Sequence, residues 1–153
     1  MSRTSSAASI AFWRDRPLSD LTKKEWESLC DGCGLCCLHK LDYTQDGGGI
    51  VYTEVACRLL DVESCRCMQY KERRHYVPDC ISLTPKGLAS IVWLPKSCAY
   101  RRLSEGKDLP RWHPLLTGDA DSVHRAKISI RGRAIPEAKA GNLSDHEVDW
   151  PEI

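Results

Sequence analysis

The chain has 153 residues, with 22 Lys and Arg against 21 Asp and Glu and a formal net charge of +1. That length is most simply one domain, and the charge excludes a global electrostatic pull toward nucleic acid or an anionic membrane. The longest apolar runs, such as Ile91-Val92-Trp93-Leu94, stop far short of the ~20 residues that cross a bilayer.

Met1 to Trp13 holds one Arg, several Ser and Ala and no apolar h-region. It predicts a flexible N-terminus over 1–15 rather than a secretory signal, with a Ser/Arg-rich transit peptide as the alternative. Ser19 to Leu29 predicts a short helix. Thr22 and Glu25 have the spacing of a capping box, and Leu18, Trp26, Leu29 and Cys30 share one helical face. Gly32 and Gly34 then break the helix and let the backbone turn sharply among cysteines. Leu38 to Tyr43 and Ile50 to Val55 flank Thr44-Gln45-Asp46-Gly47-Gly48-Gly49, the pattern of a β-hairpin with a glycine-rich loop. No Lys-Ser/Thr follows those glycines, so they are no phosphate cradle. The hairpin returns Cys57 beside the first cysteines.

Leu59, Leu60 and Val62 continue as a strand or turn before Cys65-Arg66-Cys67. Tyr70 to Tyr76 predicts a charged helix, stopped by Pro78 just before Cys80. Thr84-Pro85 has the form of an N-cap and first helical position. Leu88, Ile91 and Val92 are the expected buried face of that helix, Pro95 its end, and Cys98 follows. Asp119 or Asp121 is expected to cap a short helix through Val123 and Ala126. Lys127 to Arg133 alternates around Ile128 and Ile130, which predicts an edge strand. Residues 136–153 are expected to form a flexible acidic tail, leaving 16–135 as the folded domain.

The chemistry lies in the cysteines. Cys30-Asp31-Gly32-Cys33-Gly34-Leu35-Cys36-Cys37 packs four into eight residues, and Cys57, Cys65, Cys67, Cys80 and Cys98 make nine. An odd number cannot pair completely within one chain, and a reducing cytoplasm, the expected compartment, rarely holds structural disulfides. Thiolates are strong ligands for soft metals, and a two-residue gap lets two converge on one ion. The expected metal-binding set is Cys30, Cys33, Cys36, Cys37, Cys57, Cys67 and Cys80.

Three readings are open. Cys30, Cys33 and Cys36 have the C-x2-C-x2-C spacing that wraps a [4Fe–4S] cluster, with the fourth ligand from Cys57, Cys67 or Cys80. Alternatively, Cys30 and Cys33 form a zinc knuckle completed by a later pair, in one or two four-thiolate sites. Third, the cysteines are buried or redox thiols. Adjacent side chains in extended backbone point to opposite faces, so Cys36 and Cys37 do not both serve one mononuclear ion. Cys65-x-Cys67 alone is a weak redox or copper motif and is better read as sharing in the main site, and Cys98 is expected as a small buried apolar residue. The first cysteine gap is too short for a radical-SAM cluster, and the dinucleotide fingerprint is absent.

The run Cys30 to Cys37, with Cys57, Cys67-x2-Tyr70 and Cys80, resembles the CxxCxxCC cysteine-cluster family (YkgJ and YcgN type), for which a zinc- or iron-chelating domain is proposed. The YcgN-type branch is the better match, through Val55-Ala56-Cys57-Arg58-Leu59-Leu60-Asp61, Arg74-His75-Tyr76-Val77-Pro78-Asp79-Cys80, Trp93-Leu94-Pro95, Cys98-Ala99-Tyr100-Arg101, Trp112-His113-Pro114-Leu115 and Ser122-Val123-His124-Arg125-Ala126. The resemblance implies a small cytoplasmic bacterial protein with a metal or Fe–S centre. Flagellin lysine methylases carry a similar cluster, but no cofactor fingerprint here supports methyl transfer.

Other candidates have plainer explanations. His39 is a possible ligand but also an ordinary strand side chain. His113 and His124 suit a second metal site or an acid–base couple, and equally a cap or loop hydrogen bond. Asp79 beside Cys80 orients a ligand or merely caps a turn. Arg101, Arg102, Lys107, Arg111, Arg125, Lys127, Arg131 and Arg133, with Tyr100 and Trp112, form a locally basic half in which single-stranded RNA binding competes with simple surface solvation. The expected fold is α+β: a small irregular cysteine-rich domain with short helices and a β-hairpin around a metal or Fe–S centre. The expected function is metal chelation, by an iron–sulfur cluster or zinc. An enzyme using that centre, or a zinc-stabilised nucleic-acid or protein adaptor, is the alternative.

Overall fold

The computed structural model describes residues 11–77, 80, 83–91 and 93–150. The expectations placed on 1–10, Pro78, Asp79, Val92 and 151–153 lie outside the described residues. The architecture is α+β, a mixture of short helices with one three-stranded and one two-stranded sheet. The chain divides into two compact units, Met1–Asp31 with Leu83–Val123 and Gly32–Ser82 with His124–Ile153. The boundary falls inside the cysteine run, whereas the sequence places that run within one domain over 16–135.

The first unit contains helices α1 (Phe12–Asp15) and α2 (Lys23–Ser28). The capping box at α2 forms as expected: Thr22 Oγ1 accepts from Glu25 N–H at 3.1 Å, and Glu25 accepts from Thr22 N–H at 2.9 Å. Phe12 and Trp13 are buried, so the expected flexible N-terminus does not extend through them. Trp13 Nε1 donates to Asp108 at 2.9 Å. The Trp26 and Tyr100 rings meet at 4.6 Å, and the Tyr100 hydroxyl donates to Trp26 O at 2.7 Å.

The helix expected after Thr84-Pro85 is instead a turn followed by a single 3-10 turn, Leu88–Ser90. Thr84 Oγ1 does accept from Gly87 N–H at 3.0 Å, but Pro85 and Gly87 give that local bond no helix-forming run to extend. Leu88 is buried as expected, while Ile91 is half-buried.

The second unit is organised by the expected hairpin. Strands β1 (Leu38–Asp42) and β2 (Ile50–Ala56) pair antiparallel, with Lys40 opposite Tyr52 and an irregularity between Leu38 and Lys40. Short strands β3 (Leu60–Asp61) and β4 (Arg66–Cys67) form a second pair, followed by helix α3 (Arg73–Tyr76). Strand β5 (Ile135–Pro136) runs parallel to β2. Leu38, Tyr52, Val55, Ala56, Ile130 and Trp150 are buried in this unit.

Two expectations are corrected here. Lys127–Arg133 is not an edge strand. Lys127 and Gly132 both have positive φ, and Arg133 N–H and Ala134 N–H turn back on Ile130 O at 2.8 and 3.0 Å. The apolar alternation serves to insert one side chain, Ile130, rather than to pave a face. Nor is the acidic segment a free tail as far as Trp150. It lies along β2 through Val148 N–H to Tyr52 O at 3.0 Å and Trp150 Nε1 to Thr53 O at 3.2 Å. Burying an indole of about 150–250 Å² offsets much of the cost of ordering its polar neighbours.

Candidate metal centre

The cysteine run is shaped by its glycines. Gly32 and Gly34 sit on either side of Cys33, both in the left-handed region at φ 82° and 78°. Gly34 opens the 3-10 turn Leu35–Cys37, in which Cys37 N–H donates to Gly34 O at 3.1 Å. A Cβ on Gly34 would stand 2.8 Å from Ile130 Cγ1, so only glycine fits without displacing a buried side chain. The strand end is then tied to the run, because Cys57 N–H donates to Cys37 O at 2.9 Å. The hairpin thus brings Cys57 back beside the first cysteines.

Two charged groups lie beside the cysteines. Lys40 Nζ donates to Cys36 O at 2.7 Å and Leu38 O at 2.8 Å, and lies 4.9 Å from the centre of the Tyr52 ring. Burial pushes the Lys40 ammonium down in pKa, while Cys36, Cys37, Cys57 and Cys80 lie close enough for their thiolates to push it back up. Cys80 is held up by burial and by the neighbouring Cys57 and Cys67, and eased down by the guanidinium of Arg73, which hydrogen-bonds its sulfur. Cys36, Cys37, Cys57 and Cys80 thus act on the charge of Lys40, and Cys57 and Cys67 on that of Cys80.

The other two expected ligands are placed differently. Cys33 is buried, and its carbonyl accepts from Ile130 N–H at 2.9 Å. Cys30 is exposed and belongs to the first unit, just after α2. Among the described residues, no three His, Cys, Asp or Glu side chains stand ready-made around an ion. The thiols are gathered rather than closed into a coordination shell. Their chemistry fits a thiophilic centre all the same: soft donors from separate stretches of chain, beside an ammonium and a guanidinium that favour thiolate.

Cys65 is buried at φ 61°, with Ser129 and the N–H groups of Ile130 and Arg131 against its sulfur. Burial pushes its thiol pKa up, the environment of an inert packing cysteine. Cys98, expected as buried, is half-buried and starts helix α4 (Ala99–Ser104). None of the nine cysteines, all of them described, is in a disulfide.

The histidines have other partners. His113 is fully buried; Nε2–H donates to Leu29 O at 2.7 Å and Nδ1 accepts from Leu115 N–H at 3.0 Å. With both ring nitrogens used, it caps helix α5 (Pro114–Thr117) and offers no lone pair to a metal. His124 Nδ1 bonds Ser129 Oγ at 2.7 Å. His39 is half-buried and pairs with Glu137 rather than facing solvent alone. The expected basic surface is also largely engaged. Arg101 pairs with Glu105, Arg102 donates to Asp108 O, Arg131 to Glu63 O, and Arg133 to Ile128 O and Ser129 O.

Lys40 and Arg73 are the charged residues beside the cysteines that sequence reasoning missed. A lysine in mid-strand three residues after the cysteine pair was the available signal for Lys40. No local signal marks Arg73 as a sulfur partner.

Comparison with known proteins places this arrangement. A UPF0260 protein of Gluconacetobacter diazotrophicus is 60% identical over 142 residues, covering 92% of this chain and 87% of that protein. The chain belongs to the UPF0260 family. A UPF0260 protein of Granulibacter bethesdensis is 58% identical over 142 residues, 93% of this chain and 85% of its own. One from Shewanella denitrificans is 51% identical over 144 residues, 93% and 97% respectively. Residues 29–99 match the CxxCxxCC family model, described as "Putative zinc- or iron-chelating domain". That span covers the whole cysteine run and all the later cysteines. No solved structure matches the chain. No described helix is long and apolar enough to cross a membrane.

Proposed function

We propose that this UPF0260 protein is a metal-chelating protein of the reducing cytoplasm, with a centre held by thiolates of its cysteine run and hairpin. The observation that carries the reading is the hairpin's return of Cys57 to the cysteine run, with Cys57 N–H donating to Cys37 O at 2.9 Å and the Lys40 ammonium held on Cys36 O at 2.7 Å. Ligands drawn from the run, the hairpin end, β4 and the segment after α3 are what a centre needs if it is to staple one unit together. Cys30 and Cys33 complete the C-x2-C-x2-C spacing. The centre is an iron–sulfur cluster in preference to zinc, because this spacing suits a cubane and the sequence offers more cysteines than a single tetrahedral ion requires. A cluster supplies one-electron transfer; zinc in the same place supplies folding energy alone. The chain's own residues supply donors, two compensating cations and burial.

Anaerobic purification of single variants tests the assignment. Cys36→Ser is expected to abolish bound iron, and Cys98→Ser to leave most of it. Iron retained in full by Cys36→Ser, or lost equally from Cys98→Ser, contradicts the proposed ligand set. A colourless anaerobic protein that holds one zinc and no labile sulfide overturns the cluster while leaving chelation standing.

A further inference from the structure

We propose that Lys40 is the resident counter-cation of the thiolate centre, fixing the net charge at which the centre binds its metal. The inference rests on the chelation reading above and goes beyond it in naming a residue that is no ligand. Lysine normally leaves its ammonium in water on a flexible stem. Here the ammonium is pinned. It donates to Cys36 O and Leu38 O at 2.7 and 2.8 Å, and the face of Tyr52, its cross-strand partner on β2, lies 4.9 Å away. Two of those contacts are to the backbone that presents Cys36 and Cys37. The irregularity between Leu38 and Lys40 interrupts the regular ladder, and the carbonyls of Cys36, within the cysteine pair, and of Leu38, just after it, are taken by one side chain.

The surroundings give this position a purpose. Cys36 carries one of the carbonyls the ammonium holds, Cys57 N–H is tied to Cys37 O at 2.9 Å, and Cys36, Cys37, Cys57 and Cys80 all act on the charge of the ammonium. Four thiolates on a divalent ion leave a net charge of about −2 in a partly buried site. A fixed cation beside them removes about half of that excess. A Leu or Met would cover Tyr52 without the cost of burying a charge, but would supply neither the charge nor the two hydrogen bonds to Cys36 O and Leu38 O. Gln can still donate a hydrogen bond but has no charge, so Lys40→Gln separates the two contributions.

The test uses full-length, metal-free protein titrated with Zn²⁺ in competition with a chromophoric chelator, and with Co²⁺, whose thiolate charge-transfer bands count sulfur ligands. Lys40→Met and Lys40→Gln are compared with Lys40→Arg, which keeps the charge, and with Lys71→Met, an exposed control. Lys40→Met and Lys40→Gln are expected to bind Zn²⁺ about 10–100-fold more weakly, the usual scale for residues supporting a metal site. Their Co²⁺ spectra should match the wild type, Lys40→Arg should stay within a few-fold, and Lys71→Met should be unchanged. Equal affinity in Lys40→Met and wild type overturns the proposal. So does weak binding in Lys40→Arg as well, or a changed Co²⁺ spectrum, since either makes Lys40 a purely structural strut. Wild-type protein that binds neither ion contradicts the chelation reading itself, an outcome distinct from all of these.

Discussion

Gly34→Ala perturbs the point at which the cysteine run meets the fold. Gly34 has φ 78°, and an alanine held there costs about 1–2 kcal/mol for left-handed backbone. Its Cβ would also lie 2.8 Å from Ile130 Cγ1 and 3.4 Å from Cys65 Cβ. Both neighbours are buried, so the methyl cannot be accommodated by a swing into solvent. Overpacking of this kind costs about 1–3 kcal/mol. The sum, about 2–5 kcal/mol, is a large share of the ~5–15 kcal/mol that stabilises an ordinary domain. Gly47→Ala is the internal control. Gly47 has φ 82°, but a Cβ there meets nothing within 4 Å, so only the backbone cost applies. Urea unfolding of metal-free, reduced protein gives both values, and their difference of about 1–3 kcal/mol isolates the contact with Ile130. Because Gly34 opens the turn that carries Cys36 and Cys37, Gly34→Ala should also bind Co²⁺ more weakly, while Gly47→Ala should not. Equal destabilisation by the two substitutions would refute the role assigned to Ile130 in seating the cysteine run.

The buried His113 gives a pH prediction. Burial pushes its pKa below the usual 6.5, so below that pH the unfolded chain binds a proton that the native chain refuses. Stability therefore falls as pH drops through 6.5 toward the lowered native value, and denaturation between pH 5 and 8 should show that limb flattened in His113→Gln. At neutral pH, His113→Ala should cost about 2–4 kcal/mol through loss of the cap and an unanswered Leu29 carbonyl; a cost below ~0.5 kcal/mol would contradict the burial described. Cys65→Ala should lower stability by about 1–2 kcal/mol, judged by the melting transition, yet keep the full metal complement. Metal lost as completely as from Cys36→Ser would instead make Cys65 a ligand.

Much of the local architecture was legible because its causes are local. The Thr22–Glu25 capping box and the two strands flanking the triple-glycine loop are short-range patterns, and both appear where the pattern puts them. The glycines of the cysteine run were likewise readable as turn-makers. What the sequence concealed depends on distant partners. Ile128 and Ile130 alternate as in a strand, but positive φ at Lys127 and Gly132 folds that alternation into a loop around one buried isoleucine. The acidic composition near Trp150 hid an indole anchored on Thr53 O. At the site, cysteine spacing named the thiols that gather around Lys40. It did not separate Cys65, whose sulfur is met by Ser129 and the N–H groups of Ile130 and Arg131 far along the chain. Nor could it show the boundary that leaves Cys30 in the other unit.

The central claim is that this cysteine cluster holds a metal centre in the native protein, and anaerobic elemental analysis tests it most directly. Protein purified without oxygen should contain iron and acid-labile sulfide in comparable amounts and absorb in the visible region, and Cys36→Ser should contain neither. Wild-type protein prepared the same way, fully folded and devoid of iron, zinc and labile sulfide, would contradict the account.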